Sequence, residues 1–367
     1  MKHIWRRRRW LGWLAGIVVA LAWRPPGAAA SDMDIQNRVS VALENDDNVY
    51  LTHTGVRADE LGRLFYDFDL NWRITPNNLW QTDYQLGAKV YFHQTSQDAI
   101  INQLQLGYMN FSIPTVQFGV QATGKLRLID SALEDYLKFI GRGFVGDRFL
   151  DAFYVGVHAE YSQFYFRAYR DYDYWTQRYG ADARYDHQRD FSAGVVYDFE
   201  RKTFPYDAFR NIGGAANPVL VQGIRPRADD LNEVTAQFRY QTTFAETLPF
   251  LGTFSYTYQD YRSNSFGDSY DNHRFTLGLS QYIVHELSVH FLGVYQIIEA
   301  GQKTLIPQSF TIEEEDENYN QVEARINYGF TENLSVYAGY HRYWSAFPNP
   351  QFSFVKNVYG VGFAASF

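Results

Sequence analysis

Apolar and polar residues alternate with a period of two along most of this chain, in segments of about ten residues. Leu64, Tyr66, Phe68, Leu70 and Trp72 share one side of such a segment, and Phe65, Asp67, Asp69, Asn71 and Arg73 share the other. Val116, Phe118, Val120 and Ala122 oppose Gln117, Gly119, Gln121, Thr123 and Lys125. Val234, Ala236, Phe238 and Tyr240 oppose Thr235, Gln237, Arg239 and Gln241, and Val322, Ala324, Ile326, Tyr328 and Phe330 oppose Gln321, Glu323, Arg325 and Asn327. The pattern predicts strands near 36–44, 61–74, 79–92, 100–112, 115–127, 151–159, 163–170, 189–200, 233–243, 251–262, 272–283, 286–298, 319–330, 334–346 and 354–367. Tight turns rich in Pro and Asn (75–78, 113–115, 160–163, 284–286, 331–333) alternate with longer polar connections, among them 127–148 and 171–188. A strand of this length with one greasy face either covers a soluble core or crosses a bilayer at a tilt.

The two ends of the chain decide between those options. Met1 to Arg9 is basic, Leu11 to Trp23 is apolar, and Ala28 and Ala30 stand at −3 and −1 of a cleavage site. This is the make-up of a secretory signal peptide cut after Ala30, leaving a single domain over 31–367. Beyond Ala30 no apolar run is long enough to span a bilayer as a helix. The final strand alternates through Tyr359, Val361, Phe363, Ala365 and Phe367. It resembles the closing strand of bacterial outer-membrane barrels, and that resemblance makes Tyr359, Phe363 and Phe367 a signal for the barrel-assembly machinery. An exported chain that crosses with strands must close them into a barrel, because an open edge leaves backbone groups unpaired in lipid. Bacterial single-chain barrels use even strand numbers. The expected fold is therefore all-β: one transmembrane antiparallel barrel of 16 strands, within a range of 14–18, with the sixteenth in the Gly- and Pro-containing stretch 201–230.

Composition sharpens the picture. Six basic residues leave with the signal peptide, taking the net charge from −8 to −14. So acidic a chain excludes nucleic acid as a partner. Aromatic residues make up 18%, with 29 Tyr and 29 Phe, a load suited to the two membrane–water boundaries. Mean hydropathy is −0.37, compatible with a barrel because only one face of each strand meets lipid. There is no Cys, hence neither a disulfide framework nor a lipoprotein anchor.

With the apolar faces turned to lipid, the lumen is lined by Asp67, Asp69, Arg73, Lys89, Lys125, Arg127, Arg167, Arg239, Glu323 and Arg325, together with His158, His290 and His341. Charges of both signs on inward positions are costly in a dry core, so they fit a water-filled channel or a closed, paired network. Sixteen strands leave room for the channel. Ser131 and Glu134 have capping-box spacing, Leu133, Leu137 and Ile140 recur at helical spacing, and Gly141 is placed to end a helix. This predicts a short helix over 131–140 in an outer loop, either folded into the lumen as a constriction or lying over the mouth.

No nucleophile elbow, HExxH or helical His pair occurs, so no catalytic, metal or cofactor residue is assigned and the chain is read as a non-enzyme. The acidic run Glu313 to Glu317 reads as a solvated loop. A rim-borne hydrolase and a structural barrel of a secretion complex are the alternatives. The layout of signal peptide, acidic–Asn stretch (Glu44 to Val49), single barrel and terminal Phe resembles the β-barrel porins of Gram-negative bacteria, some of which sit in exopolysaccharide export loci. That resemblance implies an outer-membrane channel for hydrophilic solutes or glycan, embedded among lipid and lipopolysaccharide.

Overall fold

The computed structural model describes residues 32–367 apart from 131–134, 151, 169, 171–172, 188–189, 214–218, 245–247, 301–318 and 346–352. The expected signal peptide lies outside the described residues, as do Ser131 and Glu134. The compact unit Asp34–Phe367 is one sheet of sixteen strands. They are β1 (Met33–Asp46), β2 (Asp59–Thr75), β3 (Asn78–Tyr91), β4 (Ala99–Asn110), β5 (Val116–Ile129), β6 (Tyr136–Phe149), β7 (Phe153–Phe166), β8 (Tyr174–His187), β9 (Phe191–Asn211), β10 (Leu220–Phe244), β11 (Leu248–Ser263), β12 (Tyr270–Val284), β13 (Leu287–Ala300), β14 (Tyr319–Gly329), β15 (Leu334–Ser345) and β16 (Val355–Ser366). Each strand pairs with its sequence neighbours, and β1 pairs antiparallel with β16, which closes the barrel. Closure removes every unpaired edge. Phe367 completes the seam, exchanging backbone hydrogen bonds of 3.0 Å in both directions with Asn37.

Sequence period and register agree on the two faces. Val120, Val157, Val195, Leu277, Ile326 and Val361 share the apolar face and are exposed. Contacts that skip over a strand fall on the polar face: Tyr91 Oη donates to Asp46 at 2.9 Å (β3 to β1), His158 meets Asp198 at 2.8 Å (β7 to β9), and Arg178 meets Glu233 at 3.0 Å (β8 to β10). Side chains converge on the concave side of a curved sheet and diverge on the convex side. The polar face is therefore the inside.

The strand total matches the expected sixteen, but two strands form where loops were expected. The predicted helix over 131–140 is not formed in its described part, because residues 136–140 open β6. Leu137 pairs with Leu126 and with Tyr165, and Gly141 sits mid-strand opposite Ala122 and Tyr161 instead of ending a helix. One local capping pattern cannot outweigh a full ladder of hydrogen bonds to both neighbours. Likewise β8 occupies the expected loop 171–188, and the expected turn at 160–163 is the middle of the continuous strand β7. Among its described residues the stretch 201–230 holds no extra strand. It extends β9 and β10 to 21 and 25 residues, with register breaks around Pro226, which has no N–H to donate to the ladder. Thr95–Gln97 forms a 3-10 turn, and among the described residues no helix is long and apolar enough to cross a membrane.

Candidate functional site: the lumen wall

Every sequence-predicted lumen residue but one lies on the inward face. Asp67, Asp69 and Arg73 are on β2, Lys89 on β3, Lys125 and Arg127 on β5, Arg239 on β10, Glu323 and Arg325 on β14. Arg167 is the exception. It follows the last residue of β7, its side chain is 72% exposed, and its Nη1 meets Asp135 at 3.2 Å at the long-loop rim. Of the expected constriction residues within the described part, Leu137 points outward and Ile140 inward, both in β6. Tyr359 and Phe363, expected from the resemblance to form an assembly signal, are on the outward face of β16, opposite Asn45 and Val41 of β1.

The structure adds wall residues that the sequence reading missed, chiefly Asp83 on β3 and those on the two unrecognised strands. Asp83 pairs with Asp69, and carboxylate oxygens of Asp67, Asp69 and Asp83 lie within 4.8 Å of one another, near enough to share a cation. Lys138 and Arg142 belong to β6, and Arg178 and Asp182 to β8. The available signal was the alternation of Leu137, Phe139 and Val145 against Lys138, Ile140 and Arg142.

Half of the circumference is tied by one chain of polar contacts. His158 Nε2 meets Asp198 Oδ1 at 2.8 Å. Arg178 donates to Asp198 Oδ2 at 2.8 Å and to Glu233 Oε1 at 3.0 Å. Gln259 donates to Glu233 at 2.7 Å, and Asn272 donates to both Gln259 and Gln296 at 2.9 Å. Gln296 then donates to the Tyr319 carbonyl at 2.9 Å. The belt runs from β7 to β14. Each member offers a charge or an amide that its neighbour satisfies, which is what lets such groups sit half-buried.

Towards the long loops the inner wall carries an aromatic cluster, Tyr136, Phe164, Phe166, Tyr174 and Phe204, all buried. Its ring faces are met by cations: Lys138 Nζ is 5.7 Å from the Phe164 centroid, Lys202 Nζ 4.7 Å from Tyr174, and the Arg227 guanidinium 4.5 Å from Phe204. At the long-loop end of β2 the buried Asp59 accepts from the backbone N–H of Gln94 at 2.6 Å, of His93 at 2.9 Å, and from the His93 ring at 2.8 Å. Burial pushes its pKa up, but these hydrogen bonds outweigh burial and hold it at about 2.

Towards the short turns the inward residues Arg73, Gln237, Arg239 and Thr253 are exposed. Here the bulky inward groups lie along the wall, over inward-facing glycines. Tyr154 covers Gly146 and Gly156, Phe144 covers Gly119, and His158 covers Gly180. A Cβ on Gly156 would stand 2.7 Å from Tyr154 Oη and 2.8 Å from Asp182 Oδ1, closer than atoms pack. Only glycine leaves room for these side chains to lie flat.

No protein-family model and no curated protein sequence matches the chain. Solved structures do. OprB of Pseudomonas putida is 10% identical over 92% of this chain and 94% of its own, with a TM-score of 0.51. CdiB from Acinetobacter baumannii is 8% identical over 90% of this chain and 60% of its own, with a TM-score of 0.52. Outer-membrane expressed OmpT of Vibrio cholerae is 12% identical over 91% and 97%, with a TM-score of 0.46. Identities this low speak to fold alone. The chain folds as an outer-membrane β-barrel.

Proposed function

We propose that this chain is a channel in the outer membrane of a Gram-negative bacterium, letting hydrophilic solutes pass down their gradients through a polar lumen. The single observation that carries the reading is the way the inner wall is built. Tyr154, Phe144 and His158 lie flat over glycines, and polar side chains such as Gln237 and Arg239 stand exposed on the inside. A barrel needing only a packed interior would gain by projecting those rings across the bore, where they would bury apolar area. Sixteen strands give a diameter at which an aqueous path remains once the wall residues are accommodated. The resemblance to barrels of exopolysaccharide loci makes a glycan one candidate solute. Export by a signal peptide cut after Ala30, and insertion by the assembly machinery through Tyr359, Phe363 and Phe367, belong to the same reading.

The test is electrical. The chain 31–367, folded in detergent and added to a planar lipid bilayer in KCl, is expected to give discrete, ohmic conductance steps. Heat-modifiable, fully folded protein that inserts without any step would overturn the proposal and favour a structural barrel.

A further inference from the structure

We infer that a depression in the inner wall, on β11 to β14, is a binding site for an uncharged sugar ring. The inference rests on the channel reading above, which brings solute to the wall, and names the class of that solute.

The depression holds about 250 Å³. Two rows of inward register partners line it. Leu251, Ser280 and His290 form the row nearer the short turns, and Thr253, Gly278, Leu292 and Glu323 form the next. Gly278 opens the space, because it stands between Thr253 and Leu292 with no side chain of its own. A Cβ there would lie 2.5 Å from Thr253 Oγ1. Leu251 and Leu292 put apolar surface on a wall that faces water, and such surface gains when the C–H groups of a ligand cover it. The space is smaller than the pockets of about 300–1,000 Å³ that take drug-sized ligands, and it suits a single ring.

The polar groups of the depression match hydroxyls. Ser280 Oγ lies 2.9 Å from His290 Nδ1, and Ser288 Oγ lies 3.0 Å from Nε2. A neutral imidazole donates through one nitrogen and accepts through the other, so Ser280 keeps a free proton in one tautomer and free lone pairs in the other. A ligand hydroxyl, itself both donor and acceptor, is satisfied by either. Thr253 donates to the Gly278 carbonyl at 3.4 Å and retains its lone pairs. Glu323 has a side chain 30% exposed, with Oε2 3.5 Å from His341 Nδ1 and no hydrogen bond to Oε1 among the described residues. A carboxylate oxygen left open accepts strongly from a hydroxyl. Arg325, the next inward residue of β14, is turned away: it donates to Asn327 at 2.7 Å and lies 3.7 Å from the Tyr337 centroid. The charge on the lining is thus a carboxylate, which repels anions. Acceptors set around two leucines fit the O–H edge and C–H face of a pyranose. A compact ammonium would meet Glu323 and leave the leucines uncovered.

Saturation-transfer NMR on the folded chain 31–367, in a detergent without a sugar headgroup, tests this with glucose, glucuronate and choline. Wild type is expected to give a saturable glucose signal that exceeds those of the two charged probes. Glu323→Gln and Ser280→Ala are each expected to raise the half-saturation concentration of glucose about threefold to tenfold, the worth of one hydrogen bond. Gly278→Val, which fills the depression, is expected to abolish the signal. In planar bilayers glucose should interrupt the wild-type current and leave that of Gly278→Val steady. A wild type with no glucose signal overturns the inference. So does a glucuronate or choline signal equal to or above that of glucose, which would mark a site for charged solutes. Folded Glu323→Gln and Ser280→Ala variants that both keep the wild-type half-saturation overturn it too, whether or not Gly278→Val folds. Folded wild type that binds glucose and never conducts upholds the binding site and defeats the channel reading, so the two failures are distinct.

Discussion

Adding one methyl group at Gly156 tests whether the flat-lying rings set the bore. In the native wall Tyr154 spans Gly146 and Gly156, which are register partners on β6 and β7, with the Arg184 guanidinium 5.4 Å from its ring centroid. The new Cβ would lie 2.7 Å from Tyr154 Oη and 2.8 Å from Asp182 Oδ1. Unstrained contacts need about 3.5 Å or more, so each group must retreat by about 1 Å. Both obstructing atoms are ends of side chains, so the backbone can stay in place. Held flat, the tyrosine would cost about 1–3 kcal/mol of overpacking. Swinging the ring off the wall relieves that cost, and the space available to it is the lumen. Gly156→Ala is therefore expected to fold, to melt at nearly the wild-type temperature in detergent, and to conduct less per channel. Tyr154→Ala with Gly156→Ala should lose the blocking ring and conduct at least as well as wild type. Gly143→Ala is the control, since its added methyl on the outward face of β6 meets nothing within 4 Å. A Gly156→Ala channel with full single-channel conductance would refute the argument that ring placement governs the bore.

Further predictions address the facing of the strands, the polar belt and the outer rim. Leu277→Arg, on the outward face of β12, should destabilise the barrel by about 2–4 kcal/mol if that face meets the bilayer midplane, whereas Thr276→Arg on the inward face should leave the unfolding midpoint in lipid vesicles unchanged. Arg178→Ala leaves Asp198 with His158 and Glu233 with Gln259 but removes the cation between them, and should cost about 1–3 kcal/mol, read as a lowered unfolding midpoint in urea. Asp59 has a folded-state pKa of about 2, below the ordinary carboxylate value. Its stabilising hydrogen bonds to His93 and Gln94 are therefore fully present above about pH 4 and fade as the pH falls towards 2. Protease nicking within 92–98, measured after brief exposure to each pH, should rise across that window in wild type, and Asp59→Asn should show the nicked behaviour already at neutral pH.

Much of the barrel was legible because a strand that crosses lipid obeys a rule each residue must satisfy alone. Leu64 to Trp72, Val116 to Ala122 and Val322 to Phe330 keep strict alternation, and β2, β5 and β14 form there. The lumen assignments of Asp67, Lys125, Arg239 and Glu323 followed from the same parity. Strand β6 was hidden because Gly141 and Gly143 dilute its outward face while Leu137 and Ile140 coincide with a helical spacing. Strand β8 was hidden by outward Gln177 and by small Ala181 and Ala183, which carry little hydrophobic signal. Their place in the sheet is fixed by neighbours on both sides, which no local pattern records. Arg167 was misplaced for a related reason: once β7 runs unbroken to Phe166, the chain has already left the wall.

The sequence by itself determined the kind of object this is. Period-two alternation and an aromatic, Cys-free composition specify an all-β barrel with its polar side enclosed, because burial and solvation act on each residue separately. Only the tertiary structure decided which charges are neighbours: the pairing of Lys125 with Lys138, the crowding of Asp83 against Asp69, and the bridge of Arg178 from Asp198 to Glu233. Those juxtapositions depend on strand register and closure, which couple residues dozens of positions apart through backbone hydrogen bonds, and it is register that brings the inward charges of β7 to β10 into one belt.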